Sequence, residues 1–250
     1  MKIVVCVSHV PDTASKINIA GDGKNYDKNG LTFVLNPYDE FAIEEALKTK
    51  EKFGGEVILL SLGDSSFTES LRKGLAMGAD SAILLKSTVY QDSLSVAKSL
   101  AEEIKNLGAE LVFVGKQSVD FDNQVMGQML AELLDFNSVS VAVSLNIDGN
   151  KIIAEREIEG GKEVVETSLP AVISAQKGLN EPRYPNLKGI MAAKKKTIDE
   201  KDAKVFDNHS EFLGLVRPTS KSAGKIVDSP AELVRLLREE AKVIDRKSVV

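Results

Sequence analysis

The segment with the most chemical potential is GKQSVDFDNQVMGQM at residues 115–129, which follows a short apolar run. Gly115 permits close backbone approach at a strand end. Lys116 and Gln117 offer donors, Asp120 and Asp122 offer paired acceptors, and Asn123 is placed to cap the helix that follows. A helix start presents free N–H groups and the positive end of the dipole, so it suits a phosphate; neighbouring acceptors suit ribose hydroxyls or an amino group. The competing reading is a capped surface loop with two solvated aspartates. Other chemistries have less support. No G-x-G-x-x-G follows an expected strand and no G-x-x-x-x-G-K-[ST] occurs, so the dinucleotide and P-loop fingerprints do not apply. A Ser/His/Asp hydrolase would need His9 or His209 as base, but His209 falls in polar sequence and His9 directly follows Ser8 at a strand end. Cys6 sits in a β-branched run, where cysteine is more often a small buried hydrophobe than a nucleophile. With those two histidines and that single cysteine, no Cys/His zinc set can be assembled within the chain, whereas carboxylate-bound magnesium stays open.

Positioning such a loop calls for strands and helices in alternation, and the first half of the chain has that rhythm. Residues 2–7 (KIVVCV) read as a buried strand, 12–30 as an irregular excursion or small hairpin, and 31–35 as a short strand. Asn36 and Pro37 then read as an N-cap and a first-turn proline, with Asp39 and Glu40 favouring the positive dipole end of a helix that runs to about Phe53. Strands follow at 56–62, 81–85 and 111–115, separated by helices from Ser65 or Ser66 to Met77 and from Asp92 to Leu107; another helix is expected over 123–134. The fold class is therefore α/β, with a doubly wound, mostly parallel, Rossmann-like sheet. Ligands in such sheets gather beyond the carboxyl ends of the strands at a switch point, which should bring residues 6–12, 36–39 and 115–126 together. Residues 138–145, 151–158 and 162–169 alternate between turn sequences and predict an antiparallel meander, and 171–175 should return to the main sheet. Beyond Gln176 periodicity fades, and the sequence reads as an extended arm. The expected division is a nucleotide-binding domain over 1–192, including a loop at about 179–192, and an arm with a terminal helix over 193–250. That helix, Ser229 to Val243, has Ser229 as N-cap, Pro230 in its first turn, Glu232 completing a capping box, and an apolar stripe of Leu233, Leu236, Leu237 and Ala241 that needs a partner surface.

The chain's 250 residues carry 32 Lys+Arg against 37 Asp+Glu, a net charge of −5, which argues against non-specific nucleic-acid binding. With 43% hydrophobic and 28% charged residues the composition is that of a globular protein able to bury a core. A single cysteine permits no internal disulfide, no apolar run approaches a membrane span, and the first residues lack the apolar core of a signal peptide, so a reducing compartment is expected.

Five motifs in order resemble the β subunits of electron transfer flavoproteins, of the AMP-binding, non-bifurcating type: VLNPYDEFAIEEAL (34–47), ESLRKGLAMGAD (69–80), GKQSVDFDNQVMGQMLAELL (115–134), EREIEGG (155–161) and LNEPRYPNLKGIMAAKKK (179–196). The resemblance implies an adenine-nucleotide-binding fold in a heterodimer with an α subunit that holds most of the FAD, while the β subunit buries an AMP. It implies an electron carrier rather than an enzyme, with no catalytic residue, passing electrons from acyl-CoA and related dehydrogenases to electron transfer flavoprotein-quinone oxidoreductase. The implied AMP contacts are Cys6, Asn36, Pro37, Tyr38, Asp39 and Leu62, then Gly115, Lys116, Gln117, Ser118, Val119 and Asp120, and finally Phe121, Asp122, Asn123, Gln124, Val125 and Met126. Tyr38 matches an aromatic that approaches the flavin, and Glu157 an acidic residue that meets the mobile flavin domain. Leu187 matches an anchor into a dehydrogenase pocket, flanked by Arg183 and Tyr184, and the terminal helix would dock on the α subunit. Thr13 stands where some relatives carry an aromatic, and Leu62 where others carry a cysteine. Phe121 and Asn123 replace the small residues of bifurcating relatives, which oxidise NADH and bind a second FAD in the AMP place; that subunit type and a stand-alone adenine-nucleotide-binding protein are the alternatives. The implied location is cytoplasmic in a bacterium, or the mitochondrial matrix in a eukaryote, without membrane insertion.

Overall fold

In β1 (Lys2–Cys6) an unbroken apolar run serves two cores at once, because successive strand side chains point to opposite faces. Ile3 and Val5 pack into one buried cluster and Val4 and Cys6 into the other. The computed structural model describes residues 1–221 and 223–244. After β1 come β2 (His9–Pro11) and β3 (Phe33–Leu35), which pair antiparallel as a small separate sheet. Helix α1 (Pro37–Phe53) leads to β4 (Glu56–Gly63), α2 (Thr68–Met77) to β5 (Ser81–Lys86), and α3 (Ser93–Leu107) to β6 (Leu111–Gly115). Next are α4 (Met126–Leu134), the meander β7 (Asn137–Asp148), β8 (Lys151–Ile158) and β9 (Gly161–Ser168), and β10 (Ala171–Ala175); α5 (Leu187–Lys195), β11 (Ile198–Asp202) and α6 (Pro230–Glu239) complete the order.

The main sheet has nine strands in the order β11-β5-β4-β1-β6-β10-β7-β8-β9. Pairing is parallel from β11 to β7 and antiparallel from β7 to β9, so the expected doubly wound, mostly parallel sheet and its meander form one surface. Helices α1 and α2 cover one face through Ile43, Leu47, Leu71 and Leu75; α3 and α4 cover the other through Leu100, Ile104, Leu130 and Leu134. Strand order reverses at β1, which has β4 on one side and β6 on the other, so the switch point lies at the carboxyl ends of β1 and β6.

Two compact units make up the chain, Met1–Gly214 and Leu215–Val250. The arm expected from residue 193 thus begins later, because 187–202 are ordered by pairing rather than by their own hydrophobicity. Asn186 caps α5 by accepting from the Gly189 N–H at 2.8 Å, and β11 pairs in register with β5. In the second unit Ser229 caps α6 by accepting from the Glu232 N–H at 3.2 Å, as the capping box implies; the helix ends at Glu239, short of Val243.

Candidate functional site

The cleft is built by the start of α1, which ties the two central strand ends together. Asp39 is buried, and its Oδ2 accepts from the Ser8 N–H at 2.7 Å while Oδ1 accepts from the Gly115 N–H at 3.1 Å. Asn36, fully buried, donates from Nδ2 to the Gln117 carbonyl at 2.9 Å and accepts from the Val119 N–H at 3.3 Å. The segments 6–12, 36–39 and 115–126 therefore meet as the topology argument required. Asn36 differs from its expected role: its side chain does not cap α1, because both ends of its amide are committed to the 117–119 backbone. Gly115 has no room for a side chain, since an added Cβ would lie 2.4 Å from Asp39 Oδ1 and 2.8 Å from Tyr38 Cβ.

From Lys116 to Val125 the chain crosses the mouth of the cleft as a loop. The helix expected from Asn123 starts only at Met126, because Asp122 (φ 53°) and Gln124 (φ 55°) adopt left-handed backbone. Asn123 accordingly does not cap α4; its Nδ2 lies 3.2 Å from Ser93 Oγ and ties the loop to the start of α3. No side chain caps the first turn of α4. Asp120 accepts from the Phe121 N–H at 2.9 Å, and Asp122 accepts from Gln117 Nε2; both aspartates are exposed. Gln117 of the loop is half-buried, and its Oε1 is a buried atom with no hydrogen-bond partner among the described residues.

Behind the loop lies a cavity of about 720 Å³, within the range of small-molecule sites. Cys6, Asp39, Leu62 and Gly115 line its floor; Lys116, Gln117, Ser118, Asp120, Phe121 and residues 123–126 line its polar wall. Asn36, Pro37, Tyr38, Val119 and Asp122 are not on its surface; of these, Asn36 and Val119 hold the wall from behind. Burial pushes the Asp39 carboxyl up to about 7 against the pull of the Ser8 and Gly115 amides, and raises the Cys6 thiol well above its ordinary value. Lys116 Nζ stands 5.0 Å from the centre of the Tyr38 ring.

Another part of the lining combines His9, from the expected 6–12 segment, with Phe33 and Phe67, which no sequence signal places at the cleft. His9 stacks on Phe33 with ring centres 5.1 Å apart, meets Phe67 at 5.3 Å, and its Nδ1 lies 2.8 Å from Ser70 Oγ. Burial lowers the His9 pKa, and Ser70 is itself buried in α2, so the pair is packed beside the aromatic rings of Phe33 and Phe67. His9, Phe33 and Phe67 are far apart in sequence and no local pattern links them; in the structure the Phe67 ring occupies the space a Cβ at Gly63 would fill.

Away from the cleft, Glu157 is exposed near the end of β8, opposite Lys162 of β9. Tyr184 and Leu187 are 94% and 76% exposed, with Met191 exposed one helical turn on from Leu187. Arg183 instead turns inward onto Glu44 and Glu51 of α1. Among the described residues no cluster of His, Cys, Asp and Glu could hold a metal, and no helix is long and apolar enough to cross a membrane.

The family profile of the electron transfer flavoprotein domain matches residues 25–205. The electron transfer flavoprotein subunit beta of Bradyrhizobium diazoefficiens is 39% identical over 98% of this chain and 100% of its own length. The chain belongs to the electron transfer flavoprotein β-subunit family. A mitochondrial member from Arabidopsis thaliana is also 39% identical, over 98% of this chain, and the Mus musculus subunit is 36% identical over 97%. The resemblance to electron transfer flavoprotein β subunits drawn from the motifs is thus confirmed at the level of the family, and these relatives are named as subunits of an electron transfer flavoprotein.

Proposed function

We propose that this chain is the β subunit of a heterodimeric electron transfer flavoprotein that holds AMP in the cleft and supports the FAD carried mainly by its α subunit. The observation that carries the reading is the buried, unpartnered Gln117 Oε1 in a loop that leads straight into the uncapped start of α4. An acceptor of that kind calls for a ligand donor, which an adenine amino group or ribose hydroxyl supplies, while free helix amides suit a phosphate. The AMP-contacting set is Cys6, Asp39, Leu62, Gly115 and residues 116–118, 120–121 and 123–126, with Asn36 and Val119 fixing the shape of the loop. Asn36 and Asp39 keep the loop in place before the nucleotide arrives, which lowers the ordering cost of binding. Phe121 and Asn123 stand in the cleft wall and favour the compact AMP over a second FAD.

The flavin, when bound, supplies the redox chemistry. This chain's part is to orient and shield: Tyr38 and Glu157 face the flavin-bearing domain, and α6 docks on the α subunit. Tyr184 and Leu187 offer an apolar anchor to acyl-CoA and related dehydrogenases, and the carrier delivers electrons to a quinone oxidoreductase. The working location is the cytoplasm of a bacterium or the matrix of a mitochondrion. Co-expression with the α subunit, followed by chromatography of the released nucleotides, tests the reading. One FAD and one AMP per heterodimer is the expected result; two FAD would replace it with the bifurcating type, and a stable lone chain with adenine nucleotide but no α partner would replace it with a stand-alone binder.

A further inference from the structure

Loop 179–186 is fastened to α1 by two side chains. Arg183 donates through its backbone N–H and Nε to Glu44 Oε2 at 3.0 and 2.8 Å, and through Nη2 to Glu44 Oε1 at 2.9 Å. Its Nη1 reaches Glu51 Oε1 at 2.6 Å. Three residues earlier, Asn180 Nδ2 donates to the Phe41 carbonyl at 3.0 Å and to Glu45 Oε2 at 2.9 Å. All these acceptors belong to α1, the helix whose first turn carries Asp39 into the cleft. The Glu44 side chain is 5% exposed beneath the loop, whereas the neighbouring Tyr184 and Leu187 project outward.

We propose that Arg183 is a positioning residue: its fork on Glu44 and Glu51 holds the loop on α1 so that Tyr184 and Leu187 meet an electron-donating dehydrogenase in a fixed geometry, without Arg183 touching that partner. The inference rests on the reading of Leu187 as the docking anchor. An arginine free to greet a partner would present an unpaired cation, but this guanidinium already faces two carboxylates, so the trio offers no net positive charge. The planar fork meets Glu44 through two nitrogens, a geometry that lysine cannot reproduce. Freed from it, the loop would have to be ordered again at each encounter, and the cost would appear as weaker docking.

The test uses the assembled heterodimer with FAD and AMP, and follows flavin reduction by a medium-chain acyl-CoA dehydrogenase supplied with its acyl-CoA substrate. Arg183→Met and Glu44→Gln should each raise the dehydrogenase concentration for half-maximal rate about tenfold, with the limiting rate held within twofold. Arg183→Lys should not restore docking. Neither substitution should add to Leu187→Ala in a double variant, since all act through one anchor. Hydrogen exchange at residues 183–187, omitting proline, should quicken in Glu44→Gln while nucleotide content stays normal. Because Glu44 is covered by the loop, an effect there cannot be a lost partner contact. Normal docking and exchange in Glu44→Gln, or an Arg183→Met loss that adds fully to Leu187→Ala, would overturn the positioning role and leave Arg183 as a direct contact. No weakening in Leu187→Ala, or no saturable reduction of the wild type, would instead remove the docking reading beneath it.

Discussion

Asp39 accepts N–H groups from two strand ends while buried, and that combination sets how the cleft responds to pH. A carboxyl pushed up to about 7 in the fold, from 3.8 ordinarily, binds its proton more tightly when folded than when unfolded. Its contribution to stability is therefore fully present below about 3.8 and is lost as pH rises toward 7. Asp39→Asn cannot accept both bonds, because its amide NH₂ would face one donor, so it should cost about 1–3 kcal/mol. The advantage of the wild type over Asp39→Asn should shrink as pH climbs through that window, measured by urea denaturation at several pH values; a pH-independent difference would mean that Asp39 ionises normally. Gln117 makes a second prediction at this scale. Since its Oε1 is a buried acceptor without a partner in the cleft lining, Gln117→Ala should weaken AMP retention by roughly tenfold, equivalent to ~1.4 kcal/mol, with little loss of thermal stability in the nucleotide-free chain. The exposed Asp122 should matter less, and a larger loss of AMP in Asp122→Ala than in Gln117→Ala would reverse that assignment.

Among the elements, α1 was legible to the residue: Asn36-Pro37 starts it, Gly54 stops it, and the apolar spacing between them fixes its inner face. Helix α5 and strand β11 were not legible. Ala193 is the only buried residue of α5, and β11 is IDEKD, an edge strand whose order comes from pairing with β5 rather than from any apolar alternation of its own. The cleft shows the same division. Its glycine, its loop and its place at the switch point follow from local sequence, whereas the Asn36 and Arg183 connections span more than 80 residues and leave no periodic trace. Glu44 illustrates the consequence: on a helical wheel it reads as a solvated glutamate, yet the 179–186 loop buries it. The seat of α5 on α2 is equally specific, because a Cβ at Gly189 would lie 2.5 Å from the Ala76 carbonyl oxygen. Gly189→Ala should push α5 off α2 at a cost of ~1–3 kcal/mol, seen as a lower thermal midpoint together with weaker dehydrogenase docking through the displaced Leu187. An unchanged midpoint would show that the helices slide apart freely.

The whole chain divides after Gly214, and the Leu215–Val250 unit has a single described helix to stabilise it. Helix α6 is locally well formed: Ser229 caps it, and Arg235 pairs with Glu232 and Glu239 at 2.9 Å each. Such exposed pairs contribute only tenths of a kcal/mol, and a ten-residue helix is marginal in water on its own. None of its residues is buried, and Leu233, Leu236 and Leu237 give it an apolar stripe. If α6 docks on the α subunit as proposed, amides of Leu233 to Leu237 should exchange rapidly in the isolated chain and slow at least a hundredfold in the heterodimer. Truncation after Gly214 should leave the melting of the sheet domain within a few degrees of the full chain, yet weaken heterodimer assembly and loosen FAD retention. The two measurements separate the possible outcomes. Protection already present in the isolated chain would show that the stripe is covered without the α subunit, and a truncated chain that assembles with normal FAD content would show that α6 contributes nothing to the carrier's architecture.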